Sequence, residues 1–303
     1  MPLLSVRDLR VSLPFPGGGA PVEVVRGVSF DVPDGGFHAL VGESGCGKSM
    51  TAMALTRLPP TDSAVLSGRA DFRGRDLLSL SARELRAARR EGGIAYIFQE
   101  PIPALDPVLS LGTQLRETGA TAAEADELLS AVGLDPAVRR KYPCELSGGM
   151  AQRVCIAMAL AQKPRLLIAD EPTTALDVLV QRKVLDLLRS LCRARGVAVL
   201  LITHNLALVS TYAETMSVLY AGEVVEDGTM REVLARPAHP YTAALLRAVP
   251  RLEGTRVEDL AVIPGRVPSP REWGADPCVF RARCPYADSC DAPKARCTRE
   301  KSA

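Results

Sequence analysis

Apolar and polar residues alternate over Val6–Leu13 and again over Val24–Val32, the period of a strand with one buried face. The Pro/Gly-rich stretch Pro14–Pro21 between them reads as a loop. Phe37–Val41, Ile94–Phe98, Leu166–Ala169 and Val197–Thr203 are instead short continuous apolar runs, the mark of strands buried on both faces. Helical periodicities separate them. Met50–Leu58 follows the first run across a glycine-rich turn, and Leu176–Arg195 carries apolar residues at 180, 184, 187, 188 and 191. Strands alternating with helices predict an α/β fold with a largely parallel sheet. From about 100 to 164 the pattern changes to helical pieces and turn residues (Pro101, Pro103, Pro107, Gly133, Pro136, Pro143), which predicts a helical subdomain inserted in the core. Past Gly228 come a short helix, Met230–Ala235, a segment His239–Pro250 and a Pro-rich tail. The expected division is a domain over 1–235 and an extension over 236–303.

With 47% hydrophobic residues the 303-residue chain can bury a substantial core. Its net charge of +2, from 37 basic and 35 acidic residues, gives no electrostatic case for nucleic acid as a partner. Arg86, Arg89 and Arg90 read as a solvated helix face. Apolar runs such as Val197–Ile202 are about a third of the ~20 residues a membrane-spanning helix needs. The first residues lack the basic-then-apolar layout of a signal peptide. The expectation is a cytosolic chain that reaches a membrane only through partners. Cys46, Cys144, Cys155 and Cys192 are scattered and read as small buried or semi-buried thiols.

Three motifs carry chemistry. Gly42-Glu43-Ser44-Gly45-Cys46-Gly47-Lys48-Ser49 fits G-x-x-x-x-G-K-[ST] between an expected strand and an expected helix. Its glycines let backbone N–H groups converge on phosphate, Lys48 supplies positive charge to the β/γ-phosphates, and the Ser49 hydroxyl can bind Mg²⁺. The helix that follows, from Met50 onward, adds the positive end of its dipole. The apolar strand Leu166–Ala169 ends in Asp170 and Glu171. At a sheet edge Asp170 would hold Mg²⁺, and Glu171 would polarise a water for attack on the γ-phosphate. Ser147-Gly148-Gly149-Met150 precedes an apolar helix, with Ser147 as N-cap and two glycines exposing N–H groups. A second phosphate device in one domain has a use only if it serves another molecule's ATP.

The order phosphate loop, Gln99, Leu-Ser-Gly-Gly, Asp170-Glu171, Ala175-Leu176-Asp177, His204 resembles the ABC ATPase family through its whole catalytic domain. The resemblance implies a RecA-like P-loop core with an antiparallel N-terminal β subdomain, an inserted helical subdomain and a C-terminal extension. It implies that Gln99 links Mg²⁺ and the attacking water to the membrane subunits, that Asp177 crosses a dimer interface, and that His204 contacts the γ-phosphate. Phe15 is the candidate for the aromatic that stacks on adenine; between Pro14 and Pro16, a plain loop residue is the alternative reading. Gly-Gly-Met at 148–150, Gln99-Glu-Pro with Leu105-Asp-Pro, Thr173-Thr-Ala-Leu-Asp-Val and His239-Pro-Tyr-Thr-Ala-Ala-Leu-Leu resemble the peptide/nickel importer subfamily. Together with the tail cysteines, they resemble the first of its two unlike ATPase subunits. Two departures stand out: Asn205 where Asp is usual, and a short segment Gln114–Leu129. The implied partners are a second ATPase subunit, two membrane permeases and an extracytoplasmic solute-binding protein. The implied place is the cytoplasmic face of the membrane, and the solute is a peptide, nickel or a metal chelate.

Cys278, Cys284, Cys290 and Cys297 crowd the tail at spacings of five, five and six residues, wider than the pairs of common zinc sites. Related subunits hold a 4Fe–4S cluster in a similar tail, which makes that cluster the expectation, with zinc and no metal as alternatives. The tail lies far in sequence from every ATP-contacting motif, so a structural role and no part in hydrolysis are expected. Two other functions stay open. A soluble ABC ATPase acting on nucleic acid or ribosomes usually carries two cassettes or a long coiled-coil insertion, and neither is in this sequence. A non-hydrolysing regulatory cassette is disfavoured by Glu171 and His204.

Overall fold

A computed structural model describes residues 2–15, 19–90, 92–173, 176–249, 262–273 and 278–290. The chain opens with β1 (Pro2–Leu13), β2 (Val22–Pro33), β3 (Phe37–Val41), α1 (Lys48–Leu55), β4 (Val65–Phe72) and β5 (Arg75–Asp76). There follow α2 (Ala82–Arg90), β6 (Ile94–Ile97), α3 (Leu111–Glu117), α4 (Ala122–Ala131), α5 (Gly148–Ala161), β7 (Leu166–Asp170) and α6 (Val178–Arg195). It continues through β8 (Ala198–Thr203), α7 (Leu206–Tyr212), β9 (Thr215–Tyr220), β10 (Glu223–Thr229), α8 (Met230–Ala235) and α9 (Pro240–Arg247). Two compact units divide these elements: Met1–Leu3, Val32–Phe37 and Ser79–Ile202 form one, and Leu4–Asp31, His38–Leu78 and Thr203–Ala303 the other.

In the first unit β6, β7 and β8 run parallel, with Ile94 opposite Leu166 and Leu166 opposite Ala198. Every residue of β7 and β8 is buried, which is why both read as continuous apolar runs. No strand interrupts 98–165; α3, α4, two short 3₁₀ turns and α5 fill it. Side chains set these helix starts. Thr121 and Glu124 close a capping box on α4, Ser147 caps α5, and Asp177 caps α6, which ends at Gly196 in a left-handed conformation (φ 63°). In the short segment, Gln114 is buried and ties the preceding loop: its amide donates to Asp106 O and Leu109 O, and its carbonyl accepts from Asp106 N–H.

The second unit holds an antiparallel sheet in the order β2-β1-β4-β5 and a group in the order β10-β9-β3, where β9 is parallel to β3 and antiparallel to β10. A bulge between Arg7 and Arg10 turns Asp8 to a positive φ of 47°, and a Cβ on Gly68 would run into the Asp8 carbonyl.

Several elements carry no clear apolar period. Only Ala70 and Phe72 of β4 are buried, β10 buries no residue, and α2 buries Leu85 alone. β9 is an apolar run broken by Ser217, whose buried hydroxyl meets His38 and Asp227. Cys46 and Cys192 are buried and Cys155 is partly so, but Cys144 is exposed, because its 3₁₀ turn (Pro143–Glu145) buries Pro143 instead. Burial holds the Cys155 and Cys192 thiols protonated, pushed up to about 12. No helix among the described residues is long and apolar enough to cross a membrane.

His38 is buried between Thr215 Oγ1 (2.9 Å) and Ser217 Oγ (3.0 Å), stacked on Phe30, and burial lowers its pKa to about 4. Burial lowers His239 to about 4 as well. Both imidazoles are therefore neutral in the fold and charge more readily when it opens, so their contribution is full above the ordinary histidine pKa and lost as pH falls toward 4. Between pH 7.5 and 5.5 the loss should be about 1–2 kcal/mol for His38. Denaturant unfolding at the two pH values should show it, and His38→Gln should remove its share and leave that of His239.

Candidate nucleotide site

The phosphate loop lies in the second unit between β3 and α1, and close approach explains its glycines. A Cβ on Gly42 would run into the Leu219 carbonyl of β9, and one on Gly47 (φ 105°) would sit 2.8 Å from Val24 O. Gly45 (φ 81°) has open space beside it, and Ser44 and Gly45 form the exposed tip. Helix α1 begins two residues earlier than its apolar pattern suggests, with Gly47 as a left-handed N-cap that offers no side chain to its N–H groups. Lys48 is buried. Its ammonium donates to Gly42 O (2.8 Å) and Glu43 O (3.0 Å), so the loop's own carbonyls hold the charge in the concavity. Cys46 is buried behind it, and burial raises its thiol pKa. Ser49 and Met50 are half-buried in the first turn of α1.

Phe15 lines a cleft of about 470 Å³ in the same unit, with Val22, Arg26, Pro270, Arg271 and Trp273 among its walls. The Arg271 guanidinium lies over the Phe15 ring, 3.8 Å from its centre. His204 is exposed in the bend between β8 and α7. Asn205 caps α7, accepting from Leu208 N–H. Asn and Asp serve equally as N-caps, so this departure leaves the local structure intact.

In the first unit Asp170 ends β7, buried, and accepts a hydrogen bond from Tyr96 Oη (2.9 Å). Burial, then Asp170, raises the Tyr96 pKa, which keeps the phenol a donor. Glu171 follows, buried, with a left-handed backbone (φ 44°) fixed by its N–H on Ile202 O (2.9 Å). Such a conformation is costly for a residue with a side chain, and it concentrates at working sites. Gln99 is exposed in the bend after β6. The N-terminus of α5 is exposed at Ser147 and Gly148. Gly149 is half-buried, its Cβ position 3.8–3.9 Å from Val180 and Leu176 at the start of α6. Asp177 is exposed there too, its carboxylate accepting from Val180 N–H (3.0 Å).

The family model described as "ABC transporter" matches residues 25–174, and "Oligopeptide/dipeptide transporter, C-terminal region" matches 225–290. A third, "AAA domain, putative AbiEii toxin, Type IV TA system", matches 143–210. The chain is 45% identical over 297 residues to the dipeptide transport ATP-binding protein DppD of Bacillus subtilis, covering 93% of this chain and 87% of that one. It is 45% identical over 296 residues to the oligopeptide transport ATP-binding protein OppD of Salmonella typhimurium, covering 94% and 87%. The chain belongs to the ATP-binding subunits of ABC transporters. Among solved structures, the dimeric post-hydrolysis ATP-binding cassette MJ0796 bound to ADP and Pi matches with a TM-score of 0.65 at 28% identity, over 75% of this chain and 99% of that one. The fold is the RecA-like P-loop ABC ATPase with its N-terminal β subdomain and helical insertion, and the activity is ATP hydrolysis.

One expectation for this ABC ATPase fails. Among the described residues no group of three or more His, Cys, Asp or Glu is gathered to hold a metal ion, so the iron–sulfur cluster is withdrawn. Cys278, Cys284 and Cys290 are half-exposed, and Cys297 lies outside the described residues. The tail takes its order from packing instead. Phe280 is buried against Tyr220, Tyr241 and His239, with ring centres 5.2, 5.3 and 5.8 Å apart. Arg283 pairs with Glu43 in the phosphate loop (2.7 Å). Burial opposes its charge, but the bonds to Glu43 and Tyr220 outweigh burial and raise its pKa.

The sequence alone did not reveal Tyr96, Tyr241 or Arg283. Tyr96 was detectable: it pairs with Ile168, two residues before Asp170, which places Tyr96 and Asp170 on one face of the sheet.

Gly42→Ala should cost about 1–3 kcal/mol through the clash with β9. It should also weaken ATP binding, measured by calorimetry beside a thermal melt. Unchanged affinity would show that the slot is not needed.

Proposed function

We propose that the chain pairs with a second ATPase subunit, and that the two close around two ATP molecules. Each nucleotide is held between one subunit's phosphate loop and the other's Ser147–Gly149 helix start. The observation that carries this reading is one face of the first unit. The exposed N-terminus of α5 lies beside the start of α6, where Asp177 is followed by Val178 and Leu179, 73% and 74% exposed. Two large aliphatic side chains beside a phosphate-suited helix start fit a partner's nucleotide side, and a dimeric relative supports pairing.

In this reading Lys48 and backbone N–H groups of residues 44–50 bind the phosphates, and Phe15 stacks on adenine in its cleft once Arg271 yields or shares the ring. Glu171 accepts the proton of the attacking water, and His204 contacts the γ-phosphate. Ser49, Gln99 and Asp170 offer hydroxyl, amide and carboxylate oxygens, the hard donors that Mg²⁺ takes. When bound, Mg²⁺ would neutralise charge on the β- and γ-phosphates.

The domain over 1–235, with its helical part at about 100–164, would supply the motor and 236–303 the importer-type extension. Closure would act on two permeases from the cytoplasmic face of the membrane, importing peptides or a related solute brought by a binding protein. Relatives named for dipeptide and oligopeptide transport support the solute class. The second ATPase would be an unlike subunit, with this chain as the first of the pair.

Glu171→Gln should keep ATP binding and slow turnover by on the order of 10²–10⁴ in the assembled transporter; near-normal turnover removes Glu171 from the role. Ser147→Arg should leave nucleotide affinity of the isolated chain unchanged and abolish turnover of the assembly. A collapse of the isolated chain's affinity would overturn the two-subunit arrangement.

A further inference from the structure

The C-terminal extension reaches the phosphate loop at one residue, and every polar group of that residue is engaged. Glu43 N–H donates to Tyr241 Oη (2.9 Å), and Glu43 O accepts from Lys48 Nζ (3.0 Å). Its carboxylate accepts from both terminal nitrogens of Arg283 (2.7 and 3.1 Å). Arg283 is itself fixed, its side chain 5% exposed. Its Nε donates to Pro264 O (2.7 Å), Nη2 to Ile263 O and Gly265 O (3.3 and 3.4 Å), and Nη1 to Tyr220 Oη (3.4 Å). Tyr241 and Tyr220 are packed by Phe280.

A second contact lies at the other end of the loop's tip. The Trp273 ring covers Gly222, leaving only 2.8 Å to where a Cβ would stand, and Gly222 N–H donates to Cys46 O (2.9 Å). Trp273 is held by its Nε1–H on Pro268 O (2.9 Å). The exposed tip, Ser44 and Gly45, is thus spanned by two anchored residues, Glu43 and Cys46.

We propose that Tyr241 and Arg283 are positioning residues of the nucleotide site: by fixing Glu43 they fix the carbonyl that holds the Lys48 ammonium, and with it the phosphate-binding form of the loop. The inference rests on Lys48 and its loop binding the nucleotide phosphates. The physical reason is entropic. A loop with glycines at 42, 45 and 47 has many conformations to lose, and a bidentate Arg–carboxylate pair restricts them in advance. The tail, remote in sequence from the ATP motifs, in this way acts on ATP binding.

The test uses the full chain with two fluorescent probes, trinitrophenyl-ATP and trinitrophenyl-AMP, the second lacking the phosphates that the loop would grip. Arg283→Met and Tyr241→Phe should each weaken trinitrophenyl-ATP about 5–10-fold and leave trinitrophenyl-AMP within about twofold. Arg283→Lys should recover part of the loss. In the Glu43→Gln/Arg283→Met pair the losses should not add, because Arg283 acts through Glu43. Equal weakening of both probes, or additive losses, would reduce the contact to general packing and overturn the proposal, as would unchanged trinitrophenyl-ATP affinity in both variants. Tyr241→Phe removes a single oxygen, so it remains decisive if Arg283→Met melts. Lys48→Ala separates the underlying reading: if it leaves trinitrophenyl-ATP binding intact, the phosphate loop itself has been misassigned.

Discussion

The phosphate loop sits closer to neighbouring backbone than any side chain allows. Gly42 lies against the Leu219 carbonyl of β9, Gly47 against Val24 O, and Cys46 O takes the N–H of Gly222. These approaches tie the loop to two separate stretches of the second unit, β2 and the end of β9 with its turn, so its conformation is a property of that unit and not of eight residues. Lys48 follows from them. Its ammonium is buried with loop carbonyls as hydrogen-bond acceptors, which leaves a positive charge where a polyphosphate would need it.

The carboxylates of the first unit are held by a different device. A sheet of fully buried parallel strands is stiff, and β7 delivers Asp170 at its edge with Tyr96 from the neighbouring strand as a donor. One residue on, the chain turns through a left-handed conformation at Glu171 that the bond to β8 sustains. Strain in the backbone there is offset by the rigidity of the strands around it.

The extension shows how a segment with little apolar content can be ordered without a metal. Phe280 packs on Tyr220 of the body and on Tyr241 of the extension's own helix, and Arg283 finds a carboxylate and four oxygen acceptors besides. Among the described residues its cysteines are not gathered into a group that could hold a metal ion. Crowding of Cys278, Cys284 and Cys290 in sequence did not become crowding in space, because the aromatic and ionic anchors between them dictate the path.

What the sequence determined by itself were the features written in local period and local chemistry. The continuous runs of β3, β7 and β8 have one stable fate, burial in a parallel sheet, and the loop from Gly42 to Ser49, the cap Ser147 and the pair Asp170-Glu171 carry their chemistry within a few residues. Elements stabilised from outside were not legible: β4 buries only Ala70 and Phe72, β10 buries no residue, and α2 buries only Leu85. Only tertiary structure could join Tyr241 and Arg283 to Glu43, across 198 and 240 residues, because that contact exists only once β9, α9 and the tail have packed. The same holds for the cysteines: spacing limits which thiolates can meet, but the packing of the side chains between them decides whether they do.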